Sequence, residues 1–170
     1  MRIEDVPESR NGWGYPRPLE GDGGGWAFCD LGHKHWGLHG AAGVLVTDTT
    51  GPSHRVLLQH RAVWTHEGGT WAVPGGARDS HEDVLTTALR EASEETTLLA
   101  SDLTPYAEWV DDHGGWSYTT VLARADSGLD PAPANPETEA IGWWDVDAVA
   151  GLPLHAGFAA AWPHLQRLIT

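Results

Sequence analysis

The chain has 170 residues, 41% of them hydrophobic and 20% charged, enough for one domain whose core needs no covalent staple. Ten Lys and Arg stand against 24 Asp and Glu, and a formal charge of −14 repels the phosphate backbone that non-specific nucleic-acid binding requires. A single cysteine excludes an internal disulfide framework, and no run of about 18 apolar residues marks a membrane span.

Residues 1–36 read as an irregular N-terminal extension, and residues 37–170 as the domain proper. Met1–Arg10 carries Glu4, Asp5 and Glu8 without an apolar run, so no secretory signal is expected and the reading is cytoplasmic. Arg10–Leu19 mixes Gly and Pro, and Gly21–Gly25 is a Gly/Asp loop lacking the spacing of a phosphate cradle. Ala41–Thr47 and Arg55–Arg61 are rich in Val and Leu and flank a turn signal at Asp48–Ser53, as paired strands do. Trp71–Val73 is a short strand stopped by the turn cluster Pro74-Gly75-Gly76.

A helix is expected from Asp79 to about Thr96, with Asp79 or Ser80 as N-cap and Glu82 and Asp83 in its first turn. Leu85, Ala88, Leu89 and Ala92 recur at spacings of three and four and form its apolar stripe. Strands follow near Tyr106–Asp112 and Ser117–Arg124, joined by a hairpin turn at His113-Gly114-Gly115. Asp126–Pro136 is a loop, Ala140–Trp144 a last strand, Asp145–Ala150 a short helix, and Ala156–Leu168 a terminal helix interrupted by Pro163. This irregular interleaving predicts a single α/β (α+β) sandwich.

Within the central helix, Glu91, Glu94 and Glu95 fall at i, i+3 and i+4, side by side at the edge of the apolar stripe. No Lys or Arg lies four residues after any of them, so their mutual repulsion is unrelieved along the helix. A cation held between them removes that cost, and hard oxygen donors select Mg²⁺ or Mn²⁺.

The surrounding residues extend this signal. The stretch from Gly76 to Leu98 resembles the Nudix box: Gly, five residues, Glu, seven residues, Arg-Glu, an apolar residue, any residue, Glu-Glu, any residue, Gly, apolar. Gly76, Glu82, Arg90, Glu91, Ala92, Glu94, Glu95 and Leu98 match in register, and Trp71–Gly75 and Trp143-Trp144-Asp145 are also similar to the family's domain. The box glycine is Thr97 here; a left-handed backbone at that place would strain a β-branched residue. On that reading Thr97→Gly leaves activity equal or better.

The resemblance implies a Nudix-type α/β/α sandwich with a mixed sheet and a loop–helix–loop motif. It implies hydrolysis of a nucleoside diphosphate linked to another group, with Mg²⁺ or Mn²⁺. The branch expected is the MutT-like one, acting on nucleoside triphosphates to give the monophosphate and pyrophosphate. A nucleotide-sugar or dinucleoside-polyphosphate pyrophosphatase is the alternative, and a weakly active nucleotide-binding module the rival of another class. The partner expected is a nucleotide-type small molecule, with neither a nucleic-acid polymer nor a membrane, and a homodimer stays open.

By match to the box, Glu91, Glu94 and Glu95 are the metal ligands, with Glu91 the first choice of base, Arg90 orienting a glutamate, and the Gly75 carbonyl an added ligand. Glu137 resembles the extra carboxylate that family members recruit, for catalysis and metal; Glu139 and the Asp111–Asp112 pair are its rivals. Arg61 and Gly76 are the substrate-binding candidates. Two weaker signals remain. Trp64, Trp71, Trp116 and Tyr118 are candidates to stack on a base. Cys29, His33 and His35 could ligate a metal, though only with a fourth group such as Asp30 or His39.

Overall fold

The structure, a computed structural model, describes residues 21–125 and 128–170. The reading of residues 1–20 therefore lies outside the described residues. Residues 26–36 are not irregular. Trp26–Phe28 (β1) pairs antiparallel with Lys34–Trp36 (β2) in a two-stranded sheet of its own.

The main sheet has seven strands. Ala41–Asp48 (β3) pairs antiparallel with Arg55–Arg61 (β4), which also takes Trp71–Ala72 (β5) and, later in the chain, Thr138–Asp145 (β9). On its other side β3 runs parallel to Ser117–Ala125 (β8), whose outer neighbour is the antiparallel edge strand Leu103–Asp112 (β7). The sheet is therefore mixed, as expected. Pro105 sits in β7 beside a register shift, where an edge tolerates a missing N–H.

Every residue of β3 is buried, which explains its unbroken apolar run: the sheet is covered on both faces. Val44, Val46, Leu57, Val121 and Ala123 face the helix Val84–Glu95 (α1) and meet Ala88 and Ala92. Leu45, Val56, Leu58 and Leu122 point the other way, against Phe158, Ala161, Trp162 and Leu165 of Ala156–Gln166 (α2).

Four local expectations are corrected. The Pro74-Gly75-Gly76 turn gives way to a strand, Gly75–Ala77 (β6), paired with β3 through Gly43 and Gly75. Helix α1 starts later than read: Asp83 is its N-cap, accepting from Thr86 N at 2.7 Å, and Glu82 stays in the entering loop. Leu85 is exposed, so the stripe narrows to Ala88, Leu89 and Ala92. Finally, α2 runs through Pro163 without a break, its flanking Trp162 and Leu165 buried against the sheet.

Candidate active site

Arg90 is the hub of the box. Its Nε donates to Glu82 Oε2 at 2.7 Å and its Nη2 to Glu82 Oε1 at 2.8 Å, a two-pronged pair. Nη2 also donates to the Ala77 carbonyl at 3.0 Å, tying α1 to β6. Nη1 reaches Glu91 at 2.9 Å and Glu94 at 3.3 Å. The expectation of unrelieved repulsion on the helix is thus corrected, because Arg90, four residues before Glu94, reaches it from the other direction. Hydrogen bonding from Arg90 holds the Glu82 carboxyl below its ordinary range.

Glu95 lies deeper than the edge of the stripe. It is 7% exposed and accepts from Gly75 N at 3.0 Å. Burial first, then the charge of Glu91, pushes its carboxyl well up. Burial likewise raises Glu91 to about 7 against the opposing pull of Arg90. The same burial, with both carboxylates nearby, raises the Tyr118 phenol. Two glycines make this packing feasible. A Cβ on Gly76 would lie 2.5 Å from Glu91 Cδ, and one on Gly75 would lie 2.7 Å from the Ala42 carbonyl oxygen and against the Tyr118 hydroxyl.

Glu82, Arg90, Glu91, Glu94 and Glu95 open onto one cavity of about 1070 Å³. Arg61, Gly75, Gly76 and Glu137, predicted from three other segments, line the same cavity. Arg61 ends β4 and donates through Nε to the His66 carbonyl at 3.2 Å; its charge and that of Glu137 both act on Glu95. Of the rivals to Glu137, Glu139 turns to His60 Nδ1 at 3.1 Å, and Asp112 accepts from Gly114 N at 2.8 Å within its own turn. Asp111 does reach the cavity, and it meets His113 Nε2 at 3.1 Å.

A divalent cation fits the chemistry of this donor set: hard oxygens, two of them on the Glu91 and Glu95 carboxylates, raised first by burial and then by neighbouring glutamate charges, Glu94 acting on Glu91 and Glu91 on Glu95. Glu94 leans toward Arg90, and Glu91, Glu94 and Glu95 do not form a set of three whose oxygens all lie within 4.8 Å of one another.

Thr97 is unstrained. Glu67 is the one non-glycine with a positive φ among the described residues. Thr97 instead exchanges two hydrogen bonds with residue 132, its N–H to the Ala132 carbonyl and its hydroxyl from the Ala132 N–H, both at 2.9 Å. The loop after α1 turns by pairing with the 128–136 segment, so the left-handed residue is not needed.

Of the stacking candidates, Trp116 and Tyr118 line the cavity, Trp116 with its ring stacked on His35, whereas Trp71 packs on Trp144 and His60. The residues alone did not mark Trp26, Lys34 and Trp36, which the β1–β2 hairpin brings to the cavity together with His35, nor His66, Glu67 and His155, of which His66 lies against Trp26 with ring centroids 6.4 Å apart. No spacing marks them, since they join the site only through tertiary packing. His33 and His39 do not join Cys29; His39 pairs with Asp22 at 3.6 Å, and His113 takes their place beside Cys29 and His35.

Residues 37–168 match the family model described as the NUDIX domain. The chain belongs to the Nudix hydrolase family. Over 159 residues it is 47% identical to "Putative 8-oxo-dGTP diphosphatase 3" of Mycobacterium tuberculosis, covering 89% of this chain and 73% of the relative. It is 38% identical over 146 residues to a Bifidobacterium longum "Nucleoside triphosphate pyrophosphatase/Nudix hydrolase fusion protein", covering 83% of this chain and 30% of that one. The crystal structure of RenU, a Nudix hydrolase from M. smegmatis, superposes with a TM-score of 0.78 at 45% identity, covering 87% of this chain and 94% of RenU. A C. elegans Ap4A hydrolase complex, with a TM-score of 0.63 at 19% identity over 75% of this chain and 96% of that one, shares the fold alone. As a member of the Nudix hydrolases the chain is a pyrophosphohydrolase of phosphoric anhydrides, and the family works with divalent metal ions. None of the helices among the described residues is long and apolar enough to cross a membrane.

Proposed function

We propose that this Nudix hydrolase is a nucleoside triphosphate pyrophosphohydrolase that releases the nucleoside monophosphate and pyrophosphate, with Mg²⁺ or Mn²⁺ as cofactor. The observation that carries this reading is the single cavity of about 1070 Å³ that Arg61, Lys34, the acidic face of α1 and the rings of Trp116 and Trp26 all line. Its size suits a nucleotide. The mycobacterial relative supports the same class through its name, which gives 8-oxo-dGTP.

In this reading Glu91, Glu94, Glu95, Glu137 and the Gly75 carbonyl hold the cation. Once bound, it neutralises the polyphosphate that an acidic protein would repel and polarises the bond that breaks. Glu91 accepts the proton of the attacking water at a carboxylate oxygen, a role suited to a carboxylate that lines the cavity and is held in place by Arg90 Nη1 at 2.9 Å. Arg90 orients Glu91 and Glu94 from one nitrogen. Arg61 meets the substrate phosphates from the end of β4, and Gly76, having no side chain, leaves Glu91 its room.

The test is a product screen over canonical and oxidised nucleoside triphosphates, nucleotide sugars and dinucleoside polyphosphates, with Mg²⁺ and Mn²⁺ compared. Pyrophosphate and the monophosphate released fastest from triphosphates is the expected result. Faster turnover of a nucleotide sugar or a dinucleoside polyphosphate overturns the substrate class while keeping the family chemistry.

A further inference from the structure

The β1–β2 hairpin carries a second constellation whose donors differ in kind from the carboxylates of α1. Cys29 follows β1, His35 is the middle residue of β2, and His113 opens the turn between β7 and β8. One ligand atom from each lies within 4.8 Å of the other two. Tetrahedral zinc with Zn–N near 2.05 Å and Zn–S near 2.3 Å sets its ligand atoms about 3.3–3.6 Å apart, a small adjustment from that spacing.

Three further observations point to a ligand. First, His35 Nε2 is buried and has no hydrogen-bond partner, a state that folded proteins seldom leave uncorrected. Its ring is fixed by stacking on Trp116, with centroids 4.1 Å apart and planes 8° from parallel, and it cannot swing out to find one. Second, Asp111 Oδ2 lies 3.1 Å from His113 Nε2, leaving the other ring nitrogen free to ligate. That carboxylate–imidazole arrangement orients metal-bound histidines. Third, two hydrogen bonds from neighbouring residues already clamp the hairpin to the β7–β8 turn: Asp30 N donates to the Gly114 carbonyl at 2.8 Å, and the indole Nε1 of Trp116 to the Gly37 carbonyl at 2.9 Å. Gly114 and Gly115 both take positive φ, so the turn carrying His113 folds tightly under the hairpin.

We propose that Cys29 Sγ, His35 and His113 bind a zinc ion, with Asp111 positioning His113 and water in the fourth place. One thiolate with two imidazoles selects zinc or a similar borderline metal over Mg²⁺ and Mn²⁺, so the two sites do not compete for one ion. His35 and His113 both line the substrate cavity, so the ion pins the hairpin with Trp26, Lys34 and Trp36 to the rim of that cavity. Zinc here joins a segment preceding the matched domain residues 37–168 to the domain itself.

The full chain, reduced and stripped with a chelator, is titrated with cobalt(II) alone. The expected result is a thiolate-to-cobalt charge-transfer band in the near ultraviolet that saturates at one equivalent and is displaced by zinc. Because Cys29 is the sole cysteine, the wild-type band reports this residue without any variant. His113→Ala weakens cobalt binding at least tenfold, Asp111→Asn about 10–100-fold, and Glu94→Gln leaves the band unchanged. No band at saturating cobalt, a band indifferent to both His113→Ala and His35→Ala, or one lost in Glu94→Gln overturns the proposal.

Discussion

Glu82 and Arg90 meet in two parallel hydrogen bonds of 2.7 and 2.8 Å, although Glu82 lies in the loop before α1 and Arg90 in its middle. The Glu82 side chain is 3% exposed, so its charge depends on this partner. Glu82→Gln is expected to destabilise the fold by about 1–3 kcal/mol, read from the urea midpoint. Turnover falls at least tenfold in the same variant, since Arg90 loses the anchor from which it holds Glu91 and Glu94.

Glu94 behaves differently because its side chain is 40% exposed. Glu94→Gln keeps shape and packing, so the thermal midpoint stays within a degree or two of the parent. Turnover is expected to fall at least about a hundredfold, as befits loss of a charged group at the cation site. Wild-type turnover in this variant would remove Glu94 from that site.

Gly76→Ala places a methyl against Glu91, the three atoms nearest to it all belonging to the Glu91 carboxylate. The side chain must move, and turnover is expected to drop tenfold or more with little change in the denaturation midpoint. Gly75→Ala is the contrast. Its new carbon meets the Tyr118 hydroxyl and the backbone of β3, so that variant loses stability as well.

Thr97→Gly, for which the box pattern implies equal or better activity, is expected to lose stability. The hydroxyl bond to Ala132 N disappears and a flexible residue enters a backbone that needs no positive φ. The combined cost is about 1–2 kcal/mol by urea unfolding. An unchanged midpoint would show that the 128–136 segment does not depend on this contact.

Asp48 closes the β3–β4 turn, accepting from the Thr50 hydroxyl at 2.6 Å, Thr50 N at 3.0 Å and Arg55 Nη2 at 2.6 Å. Those bonds, the Thr50 pair foremost, lower its carboxyl from 3.8 to about 2. A depressed native pKa gives stability that is fully present above the unfolded value and lost as pH falls through the folded one. The stability gap between wild type and Asp48→Asn is therefore expected to be flat from neutral pH to about 4 and to close between 4 and 2. A gap that persists at pH 2 would show that the charge is not what the turn uses.

How far the residues alone reach can be seen from α1 and β6. The periodicity of Ala88, Leu89 and Ala92 and the i, i+3, i+4 glutamates are local properties, and the helix and its acidic face follow from them. Strand β6 escaped because Gly75-Gly76 has the chemistry of a turn; only pairing with β3 and the bulk of Tyr118 make extended glycines useful there. Asp79 and Ser80 resembled caps, yet Asp79 accepts from Gly23 N at 2.8 Å and Ser80 bonds Asp22. Those partners sit in a segment the linear reading set aside as irregular.

What the amino-acid order settled by itself was the family's box, the pairing of the Val- and Leu-rich strands β3 and β4, and the placing of Glu91, Glu94 and Glu95 on one helix, because each depends on spacing within or between neighbouring elements. What only the folded chain decided was depth and neighbourhood. Glu95 is buried although the wheel places it at an edge, the charges of Arg61 and Glu137 act on it from segments before and after α1, and His113 joins Cys29 and His35. Such meetings are set by strand register and by which loops share an end of the sheet, long-range quantities that no local periodicity encodes.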